Sequence, residues 1–261
     1  MDAPVDVVGA GQRSAEPVRA APSVAVARSA AGDRGGPRQF SDPNASWGHR
    51  SAISTRKGGG FYGYKIHAAV DVATDLPLAW TVQPAKESEH NFARMLVTKT
   101  MRHGFNPRTL IADKGYDGDP LQRWCMDEGI APVIALKDTA TVRRGGTETP
   151  CCEHGQWVFS GADYKRKATK WRCPTGVCTP ASVWIKADRL HPLIPRESKR
   201  FKDLYRSRGA VEREFGRLKH EWALLPLRVR GIERVRLHAD LTILAKLTCA
   251  LARTRTVAVA A

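Results

Sequence analysis

From Tyr62 to Leu136 the chain alternates between runs with a period of two and runs with a period of 3.6, and few folds accept that alternation. Tyr62 to Asp71 puts Tyr64, Ile66, Ala68 and Val70 on one face and Lys65, His67, Ala69 and Asp71 on the other, as a strand does. Thr74 and Asp75 supply a turn, and Leu76 to Val82 reads as the returning strand of an antiparallel hairpin. Glu87 to His103 spaces Phe92, Met95 and Leu96 as an amphipathic helix would. Thr109 to Ala112 is a short apolar run that stops at Asp113, a buried strand delivering an acid at its tip. Pro120 to Glu128 reads as a helix and Ala131 to Leu136 as another buried strand, so the order is that of an α/β fold.

Outside this stretch the pattern changes. Residues 1–45 are rich in Ala, Gly, Pro and Arg with almost no aromatics, a composition expected to stay disordered. Residues 61–137 form the first part of the folded core, and residues 138–200 read as an inserted subdomain in which Gly, Pro and Cys break every long run. Residues 201–253 complete the core: Lys202 to Lys219 as one long charged helix, Leu224 to Val229 as a strand or extended link, and Ile232 to Arg253 as a final amphipathic helix. The longest nearly apolar stretch, Leu241 to Ala252, is interrupted by Lys246 and too short to cross a bilayer. The first forty residues contain no apolar signal-peptide core, so the expected location is the cytoplasm, at the nucleoid.

Charge narrows the partner. Forty-two Lys and Arg against 26 Asp and Glu give a net charge of +16, which points to an acidic polymer. On the predicted helix Tyr205, Arg208, Glu212 and Lys219 are spaced by 3, 4 and 7 and fall within a sector of about 60°. That stripe is too polar for a core, and Leu204, Val211, Phe215 and Leu218 supply an adjacent apolar stripe for packing.

Tyr-x2-Arg-x3-Glu-x6-Lys resembles the signature of DDE transposases of bacterial insertion sequences, and two upstream blocks agree with it. YGYKIHAAVD, ending at Asp71, resembles that family's first catalytic strand, and LIADKGYD, containing Asp113, resembles the second. The likeness runs from about Trp47 to Arg253. It implies a ribonuclease-H-like core, a mixed sheet flanked by helices, with the Cys-containing insertion before the last catalytic helix. It also implies that Asp71, Asp113 and Glu212 hold two divalent cations, Mg²⁺ or Mn²⁺, for cleavage and strand transfer of double-stranded DNA. Tyr205, Arg208 and Lys219 would contact DNA, with Lys65 and His67 lining the same groove at one remove. Pairing two transposon ends implies a homodimer on DNA. A second reading keeps the fold without the turnover: a truncated, catalytically inactive DNA-binding remnant.

Taken singly, a strand-end Asp is usually a turn or cap residue, and Asp75 and Asp117 are read as such. Cys152 and His154, followed by Cys173 and Cys178, have the paired layout of a tetrahedral zinc site, with Cys151 competing for the place of Cys152. Idle buried thiols are the alternative. Cys125 and Cys249 fall inside helical patterns and are expected in the core. Trp157, Trp171 and Trp184 interleave with Lys165, Arg166, Lys167, Lys170 and Arg172, which suits either nucleic-acid stacking or core packing. The basic run Arg228 to Arg236 is expected on the DNA backbone.

Overall fold

The computed structural model describes residues 5–8, 13–14, 42–49, 60–137 and 149–259. The chain divides into two compact units: Met1–Gly11, His67–Trp80 and Ser88–Glu214 make the first, and Gln12–Ile66, Thr81–Glu87 and Phe215–Ala261 the second. Its described strands are β1 (Val5–Val8), β2 (Arg13–Ser14), β3 (Ser46–His49), β4 (Gly60–Asp71), β5 (Pro77–Pro84), β6 (Pro107–Ala112) and β7 (Ala131–Ile134), then β8 (Cys151–Cys152), β9 (Gly155–Gln156), β10 (Val158–Asp163), β11 (Ala168–Arg172) and β12 (Ser182–Lys186). The helices are α1 (His90–Arg102), α2 (Asp119–Asp127), α3 (Lys199–Arg206), α4 (Gly209–His220) and α5 (Ile232–Val259), with a 3₁₀ turn at Lys114–Tyr116.

In the first unit β1 lies between β4 and β6, antiparallel to β4 and parallel to β6, and β7 continues the sheet parallel to β6. β5 pairs with β4 after a turn closed by hydrogen bonds from the Asp71 N–H to the Leu76 carbonyl and from the Asp75 N–H to the Asp71 carbonyl. So short a connection permits only antiparallel pairing. The predicted core strands and helices from 62 to 136 are thus all present, with ends shifted by a few residues. α1 buries Ala93, Leu96, Val97 and Thr100, spaced at three and four, against Ala69, Leu78, Leu110 and Ala112 of the strands. α2 starts with Pro120 in its first turn, where the missing N–H costs nothing, and buries Leu121, Gln122, Cys125 and Met126.

Two expectations are revised. Val5–Val8, inside the segment expected to be disordered, is a strand flanked on both sides; Val-Asp-Val-Val has strong strand propensity, which the low-complexity average over forty residues concealed. Arg13–Ser14 of the same segment pairs antiparallel with β4, and the remaining residues of 1–41 fall outside the described part. The single helix from 202 to 219 is two helices with a break at Ser207–Arg208, immediately before Gly209, the residue after Pro least favourable in a helix interior. Leu224 to Val229, read as a strand or an extended link, is a link.

Residues 149–187 build two small sheets of their own, the β8–β9 hairpin and the antiparallel β10–β11–β12 sheet. Trp171 is buried on one face of the larger sheet, donating from its ring N–H to the Thr169 hydroxyl at 2.9 Å. Trp184 sits half exposed on the opposite face with the Lys170 ammonium 5.7 Å from its ring centre.

In the second unit β3 pairs with the first residues of β4, and Gly48 approaches Ala85 so closely that a Cβ on it would stand 2.6 Å from the Ala85 carbonyl oxygen. Asp42 accepts from the Tyr64 hydroxyl at 2.8 Å and from the Gly231 N–H at 2.9 Å, which ties the start of α5 to β4. α5 buries Val235, Ala239 and Ile243. Cys125 is a core residue as expected, and burial pushes its thiol up to about 12, whereas Cys249 is exposed on α5. Among the described residues no helix is long and apolar enough to cross a membrane.

Candidate active site

β6 ends in Leu110, Ile111 and Ala112, all buried, and delivers Asp113 at its tip. Asp113 caps the following 3₁₀ turn, its Oδ1 accepting from the Gly115 N–H at 2.7 Å. A Cβ on Gly115 would stand 2.7 Å from Asp113 Oδ1 and equally 2.7 Å from Glu89 Oε1. The two carboxylate oxygens are therefore no further apart than twice that distance, and a side chain at this position would push at least one of them aside. The Tyr116 hydroxyl is buried beside them, and its acidity is suppressed first by burial and then by the negative charges of Glu89 and Asp113.

From the other side come α3 and α4. Arg208, in the break between the helices, donates from Nη1 to Glu212 Oε1 at 2.7 Å, and the charge of Asp113 also acts on Arg208. Tyr205 stacks on Phe201 with ring centres 5.7 Å apart. Its pKa is raised by burial, with Asp113 adding to the rise and Arg208 opposing it. Asp113 thus acts electrostatically on both Tyr205 and Arg208, and Arg208 is bonded to Glu212, with Tyr205 and Glu212 on different helices. Lys219 lies seven residues beyond Glu212 on α4, in the part of that helix assigned to the second unit.

Asp71 is placed elsewhere. It ends β4 and caps its turn, Oδ2 accepting from the Thr74 N–H at 3.0 Å and the Thr74 hydroxyl at 2.5 Å. Asp71 is in register with Val7 of β1, and Val7 with Leu110 of β6. Paired residues project to one face and successive residues alternate, so Asp71 shares the face of Leu110, while Asp113, three residues on, takes the opposite one. The shared face is the one α1 covers, where Ala69, two residues before Asp71, packs against Ala93, Leu96 and Val97. His67 is fully buried on that same face against Phe92, ring centres 4.8 Å apart, and Lys65 is also buried. Neither lines an open groove. Among the described residues Asp71, Asp113 and Glu212 do not form a three-ligand cluster.

The two acids read as turn residues have specific partners. Asp75 holds Arg213 of α4 through two bonds of 2.7 and 2.8 Å. Asp117 is fully buried and accepts from Arg189 (2.6 to 3.1 Å), Gln122 and the Lys137 N–H. Lys137 in turn donates to the Gly115 carbonyl at 2.9 Å and faces His90 Nε2 at 3.0 Å. Burial, reinforced by the charge of Lys137, lowers the His90 pKa, so His90 accepts that bond as the neutral ring. Glu89 and most of this support around Gly115 carried no local sequence signal, because all the partners but Gln122 lie 20 or more positions apart.

Cys152, His154, Cys173 and Cys178 form the one set of three or more metal-ligating groups among the described residues, their ligand atoms all within 4.8 Å of one another and able to hold a metal ion. The Thr175 hydroxyl beside Cys173 draws that thiol's pKa down, while Cys178, facing Cys173 and Cys152, is pushed up.

Residues 34–247 match the family model described as Transposase DDE domain. No curated protein and no solved structure matches the chain.

Proposed function

The chain belongs to the transposase DDE domain family, and from that premise we propose that it cleaves double-stranded DNA at transposon ends and joins the freed 3′ hydroxyl to target DNA with the help of divalent cations. The observation carrying this reading is that Arg208 is bonded to Glu212 at 2.7 Å and also feels the charge of Asp113 at the tip of β6, which supports a site where carboxylates for cations and a cation for phosphate lie near one another. The sheet order β5-β4-β1-β6-β7, with β1, β6 and β7 parallel and β4 reversed, supports a ribonuclease-H-like core.

In this reading Asp113 and Glu212 are cation ligands. Hard carboxylate oxygens suit Mg²⁺ or Mn²⁺, and Asp113 and Glu212 would hold such cations, which would supply Lewis-acid stabilisation of charge at the phosphodiester. Zn²⁺ suits the separate Cys and His cluster. Beside Asp113 and Glu212 we favour as further acids of the site both Glu89, whose oxygen neighbours that of Asp113, and Asp6, on the strand running parallel beside β6, over Asp71 on the opposite face. Arg208 and Tyr205 of the first unit would position DNA phosphates, and Lys219 and the exposed Arg228, Arg230 and Arg234 of the second unit would make backbone contacts of their own. Leu237, Leu241, Leu244 and Leu251, each more than half exposed, repeat along α5 with the 4-3-7 spacing of a helix-pairing seam, which supports a homodimer.

The test is Mn²⁺-dependent cleavage and strand transfer on terminal inverted-repeat DNA. Wild type is expected to turn over, Asp113→Ala, Glu212→Ala and Glu89→Ala to lose activity while folded, and Asp71→Ala to keep it. Wild-type rates from Asp113→Ala and Glu212→Ala, or DNA binding by wild type without cleavage, would overturn the proposal, the latter in favour of an inactive remnant.

A further inference from the structure

We propose that Cys152, His154, Cys173 and Cys178 are the four ligands of a closed structural Zn²⁺ site that holds residues 149–187 together. The argument is independent of DNA chemistry and starts with distances. A tetrahedral ion with Zn–S near 2.3 Å and Zn–N near 2.0 Å places its sulfurs roughly 3.8 Å apart and sulfur and nitrogen roughly 3.6 Å apart. Here Cys152 Sγ lies 3.9 Å from Cys173 Sγ and 3.9 Å from His154 Nδ1, and Cys178 Sγ lies 3.4 Å from the same Nδ1. Those sulfurs are far too distant for a disulfide, whose S–S bond is about 2.05 Å, and the cysteines are free.

The backbone is shaped for the task. Cys152 and His154 are presented by the β8–β9 hairpin, which closes through Gly155 at φ +114°. Cys173 follows β11, its N–H bonded to the Ala181 carbonyl at 3.0 Å, and the chain turns back to Cys178 through Gly176 at φ +73°, whose N–H donates to the Cys173 carbonyl at 3.2 Å. Two glycine-dependent turns thus bring one pair of ligands each to a common point. Cys151 is excluded: it is exposed and, one residue from Cys152 on the same strand, projects the other way.

Burial makes idle thiols a poor alternative. Cys152 and Cys178 are only half buried, so no apolar core shelters them, and in this subdomain Val158 and Val177 are 57% and 70% exposed. A segment whose buried apolar side chains are little more than Ala168, Trp171, Cys173 and Ala187 lacks the core to hold its two sheets in place unaided. A metal site supplies that hold, because ligand binding and folding are one equilibrium. Four protein ligands leave no open position, which marks the site as structural.

The experiment measures metal on the purified full-length chain. Elemental analysis is expected to find one zinc per chain in wild type and in Cys151→Ser, and Cys178→Ser is expected to bind zinc at least roughly tenfold more weakly. Should Cys178→Ser fail to fold, chelator-stripped wild type titrated with Co²⁺ is expected to develop the visible absorption of a tetrahedral thiolate site and lose it when Zn²⁺ is added. Wild type without zinc and without that cobalt spectrum would overturn the site, and equal zinc loss in Cys151→Ser would overturn the ligand set. Neither readout depends on DNA cleavage, so failure here is distinguishable from failure of the transposase reading.

Discussion

Replacing Asp117 by Ala tests the support beneath the Asp113 loop. The carboxylate is fully buried, and its Arg189 partner is 18% exposed at the side chain. Removal strands the guanidinium, the Gln122 amide and the Lys137 N–H at once. Breaking a buried pair by deleting one partner costs about 3–5 kcal/mol, and the residual exposure of Arg189 places this case near the lower end, about 3 kcal/mol. For a chain of this size that is a fall of roughly 6–12 °C in melting temperature. Deleting Asp113, a half-buried cap of a short turn, should cost only about 1 kcal/mol. The acid argued to be functional is thus the thermally tolerant one of the two, measurable by circular-dichroism melts of both variants. The pH dependence has a definite sign. Burial acts to raise the Asp117 pKa, but the bonds from Arg189 and Lys137 and the charges of Arg189 and Arg196 outweigh it, and the pKa is lowered from 3.8. The stabilisation is therefore fully present above the ordinary value and fades as pH falls through the depressed one, so wild type and Asp117→Ala should converge in strong acid. A neutral-pH difference below about 1 kcal/mol, or a gap that widens on acidification, would refute the reasoning.

Two further perturbations address DNA and assembly. Lys219→Ala should weaken DNA binding for all sequences alike and reduce the salt dependence of the binding constant by about one charge, measured by fluorescence anisotropy across a salt series. Leu241→Glu with Leu244→Glu should leave the melting temperature nearly unchanged, because both side chains are already exposed, while shifting the protein to monomer in sedimentation on transposon-end DNA; persistence of the dimer would remove α5 as the seam.

Much of the first unit was legible because its signals are local. Alternation in Tyr62 to Asp71 and the apolar run before Asp113 each specify a strand without reference to anything else, and the i, i+4 pair of Arg208 and Glu212 forms despite the helix break at Ser207. What stayed hidden depends on partners distant in sequence. Periodicity cannot say which side of α5 finds a core, so Cys249 was assigned to it and lies exposed. Asp117 looks like any turn acid until Arg189, 72 positions later, arrives beside it. Val5–Val8 is too short to stand out from its surroundings, yet it is the strand that sets β4 and β6 apart.

That separation has a chemical consequence. Two acids that each end a strand look equivalent in sequence, but a sheet assigns them to faces by register, and inserting β1 puts Asp71 and Asp113 on opposite ones. On the Asp113 side the groups nearby are Glu89, Tyr116, Tyr205 and Arg208, and both tyrosines are harder to ionise, first because they are buried and then because of the charge of Asp113. Asp113 and Glu89 place two carboxylates there in a chain whose net charge is +16. In the proposed reaction the two signs act at different ranges: surplus positive charge draws in the DNA backbone, while cations must first neutralise the carboxylates before a phosphate can approach them. Binding of divalent cations and binding of DNA at this site should therefore be mutually reinforcing, each tightening the other by the same factor.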